Sequence, residues 1–194
     1  APFDITLSGP DGIVTYDDIP VGGIITSFVP PVEKIWPGNP APLPSTTIDA
    51  AVTLGVKFQS SVPGFIKGVR FFSPDEVSAV PGVFTGQLWS ESGTLLASGV
   101  FTAVTTDSWQ ELTFATPVLI TANTTYIASY HTTEDKYVGT AGGLVNAVTN
   151  GSLTAVESAA SGGNGVYTYG LTPTFPTSSV DGNYWVDVMF TPGE

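Results

Sequence analysis

The chain contains no cysteine, one histidine, one methionine and only five lysines and arginines among its 194 residues. Without cysteine there is no disulfide framework, no thiolate metal site and no cysteine nucleophile, so stability must come from buried core area. The lone histidine, His131, limits any Ser-His-Asp triad or imidazole-rich zinc site to what can be built around one ring. Five cations against 17 acids leave a net charge of −12. That balance excludes nucleic acid and anionic membrane surfaces as partners on electrostatic grounds. No apolar run approaches the roughly 18 to 20 residues that span a bilayer. No Gly-x-Ser-x-Gly elbow, phosphate loop or long internal repeat is present either.

What remains is rich in Gly, Thr, Ser and Val, where a helical protein would carry Leu, Glu and Lys, and it reads as an all-β chain. From residue 48 onward, short apolar runs alternate with turn residues. Strands are predicted at Val52–Phe58, Gly64–Phe72, Thr85–Ser90, Leu95–Thr102, Trp109–Phe114, Val118–Ile120, Thr125–Thr132, Val166–Tyr169 and Tyr184–Phe190. About nine strands at this spacing predict a jelly-roll-like β sandwich. Glu91-Ser92-Gly93-Thr94 reads as a hairpin turn, and Ala122-Asn123 supplies the turn before Thr125. Residues 139–165, Gly- and Ser-rich, read as a long surface loop with one helical turn near Thr154–Ala159.

Residues 1–47 differ. Phe3–Leu7, Gly12–Tyr16 and Ile24–Val29 are β-like runs broken by turn signals, and the six prolines between 30 and 44 forbid a helix and favour an extended connector. The expected organisation is an extended N-terminal arm and Pro-rich linker over 1–47, followed by one sandwich module over 48–194. An opening Ala1-Pro2-Phe3 in place of Met is what an exported protein shows after signal cleavage. The sequons at Asn123 and Asn150 carry little weight in so Thr- and Ser-rich a chain.

Several words occur along the module in a fixed order: Leu54-Gly55-Val56-Lys57-Phe58, Gly68-Val69-Arg70-Phe71-Phe72, Gly86-Gln87-Leu88-Trp89-Ser90, Gly93-Thr94-Leu95-Leu96-Ala97, Ser108-Trp109-Gln110 and Thr124-Thr125-Tyr126-Ile127-Ala128-Ser129-Tyr130-His131. The segment Gly162–Phe190 completes them. From about Val52 to Pro192 the chain thereby resembles a bacterial domain of unknown function that recurs in secreted multidomain proteins. The resemblance implies a β sandwich in the secreted or cell-surface setting of glycan-active and adhesive proteins, where such modules are presumed to bind carbohydrate. It implies no established activity.

The residues with chemical potential are mostly aromatic. Sugars present flat C–H faces that stack on rings, while flanking polar groups take the hydroxyls. With Leu88 facing inward, Trp89 projects to the other face of its strand. Gln110, Leu112 and Phe114 share a face, which sets Trp109 beside Glu111 on the opposite one. Trp89, Trp109, Tyr137 and Tyr169 are therefore the candidate ligand-binding residues, although each ring taken singly is more often core. Asp75-Glu76 and Glu134-Asp135 read as solvated loop acids. Asp187 sits mid-strand between Trp185 and Met189, where a carboxylate must face solvent, a hydrogen-bond partner or a cation. Asp75, Glu76 and Asp187 are the candidate ligands for a structural calcium. His131 reads foremost as a strand-end histidine held by a backbone hydrogen bond.

The sequence points first to a non-enzymatic extracellular module whose partner is a polysaccharide or glycan. The alternative is a structural subunit of a surface fibre or matrix, self-associating through residues 1–47 by strand addition to a neighbouring sandwich. A lyase or hydrolase built on His131, a tyrosine and an acid ranks below both.

Overall fold

A computed structural model describes residues 30–42, 46–77 and 83–193. The β-like runs expected before residue 30, and with them the strand addition expected of a fibre subunit, lie outside the described residues. The compact unit that contains the module begins at Glu33, so the boundary expected near residue 48 falls inside it.

In chain order the elements are β1 (Thr46–Ile48), β2 (Val52–Ser60), β3 (Gly64–Phe72), β4 (Phe84–Ser90), β5 (Leu95–Val100), β6 (Trp109–Ile120), β7 (Tyr126–Thr132), β8 (Lys136–Val138), β9 (Val148–Asn150), β10 (Leu153–Ala155), α1 (Ser158–Ser161), β11 (Gly165–Tyr169), β12 (Ser178–Val180) and β13 (Val186–Pro192). The expected all-β sandwich is what forms. Its larger sheet runs β12-β11-β2-β7-β4-β5, with the β9–β10 hairpin also joined to β2, and its smaller sheet runs β13-β3-β6. Every pairing is antiparallel. A separate ribbon pairs β1 with β8 and sets Thr47 opposite Tyr137.

The core lies between the two sheets and follows from period-2 alternation. Val69 and Phe71 of β3 and Val186, Val188 and Phe190 of β13 meet Leu54, Val56 and Phe58 of β2, Leu88 of β4 and Tyr130 of β7. Phe71 is central: its ring stacks on Tyr130 at 4.1 Å and on Phe84 at 5.2 Å, and meets the edge of Phe101 at 5.0 Å. Burying a ring of this kind contributes roughly 1.5–3 kcal/mol. The Gly93 turn forms as expected, with φ +89°, and Asn123 adopts φ +54° in its own turn.

Trp109–Phe114 and Val118–Ile120 are one long strand, β6, because β3 pairs along both stretches with a register shift between Ile66 and Gly68. The region expected to be a long loop contains the β9–β10 hairpin and then α1. Asn164 ties that region down. Fully buried, it accepts from Lys57 N at 2.7 Å and donates to the carbonyls of Lys57, at 2.9 Å, and Val156.

The face of the smaller sheet turned away from the core is buried too, which alternation alone does not foretell. It is covered by the segment Glu33–Pro40. Glu33 exchanges backbone hydrogen bonds with Phe190, 2.7 and 2.9 Å, and its carboxylate accepts from Ser152 N at 2.8 Å and Ser152 Oγ at 2.5 Å. Asn150 Nδ2 donates to Lys34 O at 2.8 Å. Prolines keep this segment from becoming a helix, but it packs as part of the domain.

Candidate functional site

Three tryptophans, Trp36, Trp109 and Trp185, gather over the covered face of the smaller sheet, with ring centroids 5.8–6.4 Å apart. Phe72 meets the edge of Trp109 at 5.8 Å. Beneath them lies the ion pair of Arg70 and Asp187, both fully buried. Arg70 reaches Asp187 Oδ2 through Nε at 2.9 Å and Nη2 at 2.7 Å. The same carboxylate accepts from the backbone N–H groups of Ile35 (2.7 Å), Trp36 (3.2 Å) and Val188 (2.7 Å). Arg70 also donates to Trp36 O and Asn39 Oδ1, and its guanidinium sits 4.1 Å from the centre of the Trp109 ring. Burial pushes the Asp187 carboxyl up, opposed by Arg70 and by these N–H donors. Trp109 fastens the segment from above by donating Nε1–H to Pro40 O at 3.0 Å.

The calcium ligands expected from the sequence do not converge. Asp187 is matched by Arg70, whereas Asp75 Oδ1 accepts from Thr46 Oγ1 at 3.1 Å and Glu76 pairs with Lys136. Among the described residues, no group of three or more histidines, aspartates and glutamates could hold a metal ion.

Trp89 projects away from the core as alternation requires, yet it is buried on the other face of the larger sheet. Phe175 covers it edge-on at 5.7 Å, and its Nε1–H donates to Ser129 Oγ at 2.9 Å. Trp89 and Trp109 are thus bound up in packing. His131 is buried in β7, where Nδ1 shares a hydrogen bond with Thr53 Oγ1 at 3.1 Å. Burial lowers the imidazole pKa, opposed by a hydrogen bond with the backbone of Leu171.

Tyr137 and Tyr169 have a different setting. Tyr137 of β8, Tyr184 just before β13, and Tyr167 and Tyr169 of β11 form a row of rings in successive edge-to-face contact: Tyr137–Tyr184 at 5.6 Å, Tyr184–Tyr167 at 6.3 Å and Tyr167–Tyr169 at 5.8 Å. Tyr167 and Tyr169 share a face of β11 because they stand two residues apart. Val166, on the opposite face of the strand, packs with Trp89 and Ile127. Tyr169 is 53% exposed, and its hydroxyl donates to Asp49 Oδ2.

Beside this row opens a cleft of about 410 Å³, walled by Thr47, Tyr137, Thr140, Asp181 and Tyr184 and floored by small residues that include Gly139, Gly142 and Gly182. The floor depends on a close approach of two backbone segments. A Cβ on Gly165 would lie 2.2 Å from Gly182 O, a distance no side chain tolerates. Trp185 marks the junction of the two aromatic groups. Its φ of +53° is a left-handed conformation unusual for a bulky residue, with a cost of order 1–3 kcal/mol. Two hydrogen bonds hold it there, Trp185 N to Asn183 Oδ1 at 2.8 Å and Nε1 to Thr140 Oγ1 at 2.9 Å.

Three phenols of the row, those of Tyr137, Tyr169 and Tyr184, hold their protons more tightly than a free tyrosine. The hydrogen bond to Asp49, followed by burial, pushes Tyr169 up to about 12. Burial first and neighbouring charge second raise Tyr137 and Tyr184. Neutral phenols beside carboxylates make a surface that both donates and accepts hydrogen bonds around apolar ring faces.

Sequence reasoning singled out Tyr137 and Tyr169 but passed over Tyr167, Tyr184, Asp49 and Asp181. The Tyr-x-Tyr spacing at 167–169 was an available signal for a shared face. Asp49 and Asp181 gave none, since their nearness to the tyrosines depends on pairings of distant segments.

No curated protein matches the chain. A family model described as a domain of unknown function, DUF4082, matches residues 39–186. That span includes Arg70, Asp49 and all four tyrosines of the row. It is well over half of the chain, and the protein belongs to the DUF4082 family.

Proposed function

We propose that this domain is a non-enzymatic extracellular binding module that takes a carbohydrate ligand against the tyrosine row. The observation that carries the reading is the row itself. Of four mutually braced rings, Tyr137 and Tyr184 wall an open cleft whose other polar side chains are the hydroxyls of Thr47 and Thr140 and the carboxylate of Asp181, and Tyr169 is more than half exposed. Ring faces suit sugar C–H surfaces, and Thr47, Thr140 and Asp181 supply acceptors and donors for hydroxyls. The cleft volume lies in the range of small-ligand sites.

The test is a glycan panel screened with the intact chain, followed by titration of Tyr137→Ala, Tyr169→Ala and Tyr184→Ala. Each substitution is expected to weaken binding about twofold to tenfold, the worth of one aromatic contact of roughly 0.5–1.5 kcal/mol. Trp89→Phe and Trp109→Phe serve as controls. They are expected to lower stability and leave the affinity where it was, because both rings are engaged in packing. Affinity that depends on Trp89 or Trp109 but not on the tyrosines would overturn the assignment.

A further inference from the structure

The tyrosine cleft shares a wall with a second hollow. This hollow, also about 410 Å³, is lined by Val145, Ala159, Gly162 and Ser179, together with the same Val180 and Asp181 that border the first. Val180 and Asp181 therefore form a ridge between two open spaces of matching size. The ridge stands at the end of β12, the edge strand of the larger sheet, whose three residues are all exposed. The two spaces differ in chemistry. The first presents tyrosine rings, and the second presents aliphatic side chains, with Val145 49% and Val180 41% exposed. Ser179 Oγ donates to Gly162 O at 2.7 Å, which leaves the hydroxyl oxygen free to accept.

Charge narrows the ligand further. None of the five lysines and arginines is among the residues that line either hollow. Lys34, Arg70 and Lys136 face Glu111, Asp187 and Glu76, and Lys57 Nζ donates to Ser161 O. The ridge carries the carboxylate of Asp181, and Asp49 stands beside Tyr169 and Tyr137 of the tyrosine row. An acidic glycan would bring like charge to these carboxylates and find no cation among the lining residues to pair with. Hydroxyl groups, in contrast, donate well to carboxylates.

We propose that the two hollows are parts of one elongated site, and that it takes a neutral polysaccharide chain laid across the Val180–Asp181 ridge, in preference to a single sugar or an acidic glycan. The inference rests on the glycan-binding reading above and adds to it the length and charge of the ligand.

The experiment is calorimetric titration of the intact chain with neutral glucan oligomers, β-1,4-, β-1,3- and α-1,4-linked, from monosaccharide to hexasaccharide, with oligogalacturonate as the acidic probe. Alongside the wild type run Tyr184→Ala, which strips the first hollow, and Ala159→Trp, which fills the second from an exposed position outside the core. The expected result is affinity that rises about tenfold or more with chain length, a gain with length that Ala159→Trp cancels, and weaker binding of the acidic probe. Affinity independent of length and unmoved by Ala159→Trp, with Tyr184→Ala still weakening it, would overturn the elongated site while leaving the glycan reading in place. Tighter binding of oligogalacturonate would overturn the charge assignment. Binding that Tyr184→Ala does not alter, or no binding by any probe, overturns both readings together.

Discussion

Arg70 and Asp187 face each other across neighbouring strands, with Nη2 2.7 Å from Oδ2, and neither has any exposed surface. They are register partners in β3 and β13, so the strand pairing itself brings them together. What shuts out water is the segment Glu33–Pro40 and the Trp109 ring. The pair therefore links the sheet to a segment that the sequence presents as a connector.

Removing one partner should expose the cost of that burial. In Asp187→Ala the guanidinium loses its counter-charge, and the N–H groups of Ile35 and Trp36 lose their acceptor. An uncompensated buried charge of this kind costs about 3–5 kcal/mol. The expected outcome is a large drop in the urea midpoint with an unchanged slope, read by tryptophan fluorescence. Replacing both residues at once, as Arg70→Met with Asp187→Leu, should recover much of the loss, because neither charge is then stranded. A double variant as unstable as Asp187→Ala would place the damage in packing and not in charge.

The same geometry bears on where the folding unit starts. The family match begins at residue 39, yet Glu33, Ile35 and Trp36 bond to Phe190, Ser152, Asp187 and Arg70. A chain begun at Asn39 loses those bonds and uncovers the tryptophan cluster, whereas one begun at Glu33 keeps them. The shorter chain is expected to be less stable by several kcal/mol and to expose apolar surface. Thermal unfolding of the two chains side by side checks this, and equal melting temperatures would show the segment to be dispensable.

The strands were legible in the sequence because they are locally determined. Gly64–Phe72 forms with the expected bounds, and in β13 Val186, Val188 and Phe190 face the core in alternation with Asp187 and Met189. The short strands β1, β8, β9, β10 and β12 were not anticipated. Three residues carry too little period to be seen; β1 and β8 fix each other across the sequence, β10 is fixed by β2, β12 by β11, and β9 follows β10 as its hairpin partner. Asp187 was recognised as needing a partner. That the partner is Arg70, and not a cation from solution, depends on a register that only the fold supplies. The candidate rings divide for the same reason: Trp89 projects outward as expected, but Phe175 from a remote loop covers it, whereas Tyr137 and Tyr169 remain beside open space.

The last prediction concerns alkaline pH and the tyrosine row. Tyr169 donates to Asp49, and that bond, with some burial, pushes its phenol up to about 12 from an unfolded value of 10.0. Raised in the folded state, the group holds its proton more tightly there than in the unfolded chain. Its contribution to stability is complete below pH 10 and is lost as pH rises from 10.0 through about 12. Tyr184 and Tyr137 are raised in the same direction, chiefly by burial. Stability should therefore be insensitive to these groups at neutral pH and fall steeply on the alkaline side. Tyr169→Phe has no phenol to ionise at that position and should show a shallower fall, while Asp49→Asn should bring the Tyr169 ionisation back toward 10. Ultraviolet titration of tyrosine ionisation in the folded wild type and in Asp49→Asn reads this directly. Identical titration curves would show that the carboxylate does not govern the phenol, and the polar character assigned to that end of the row would have to be revised.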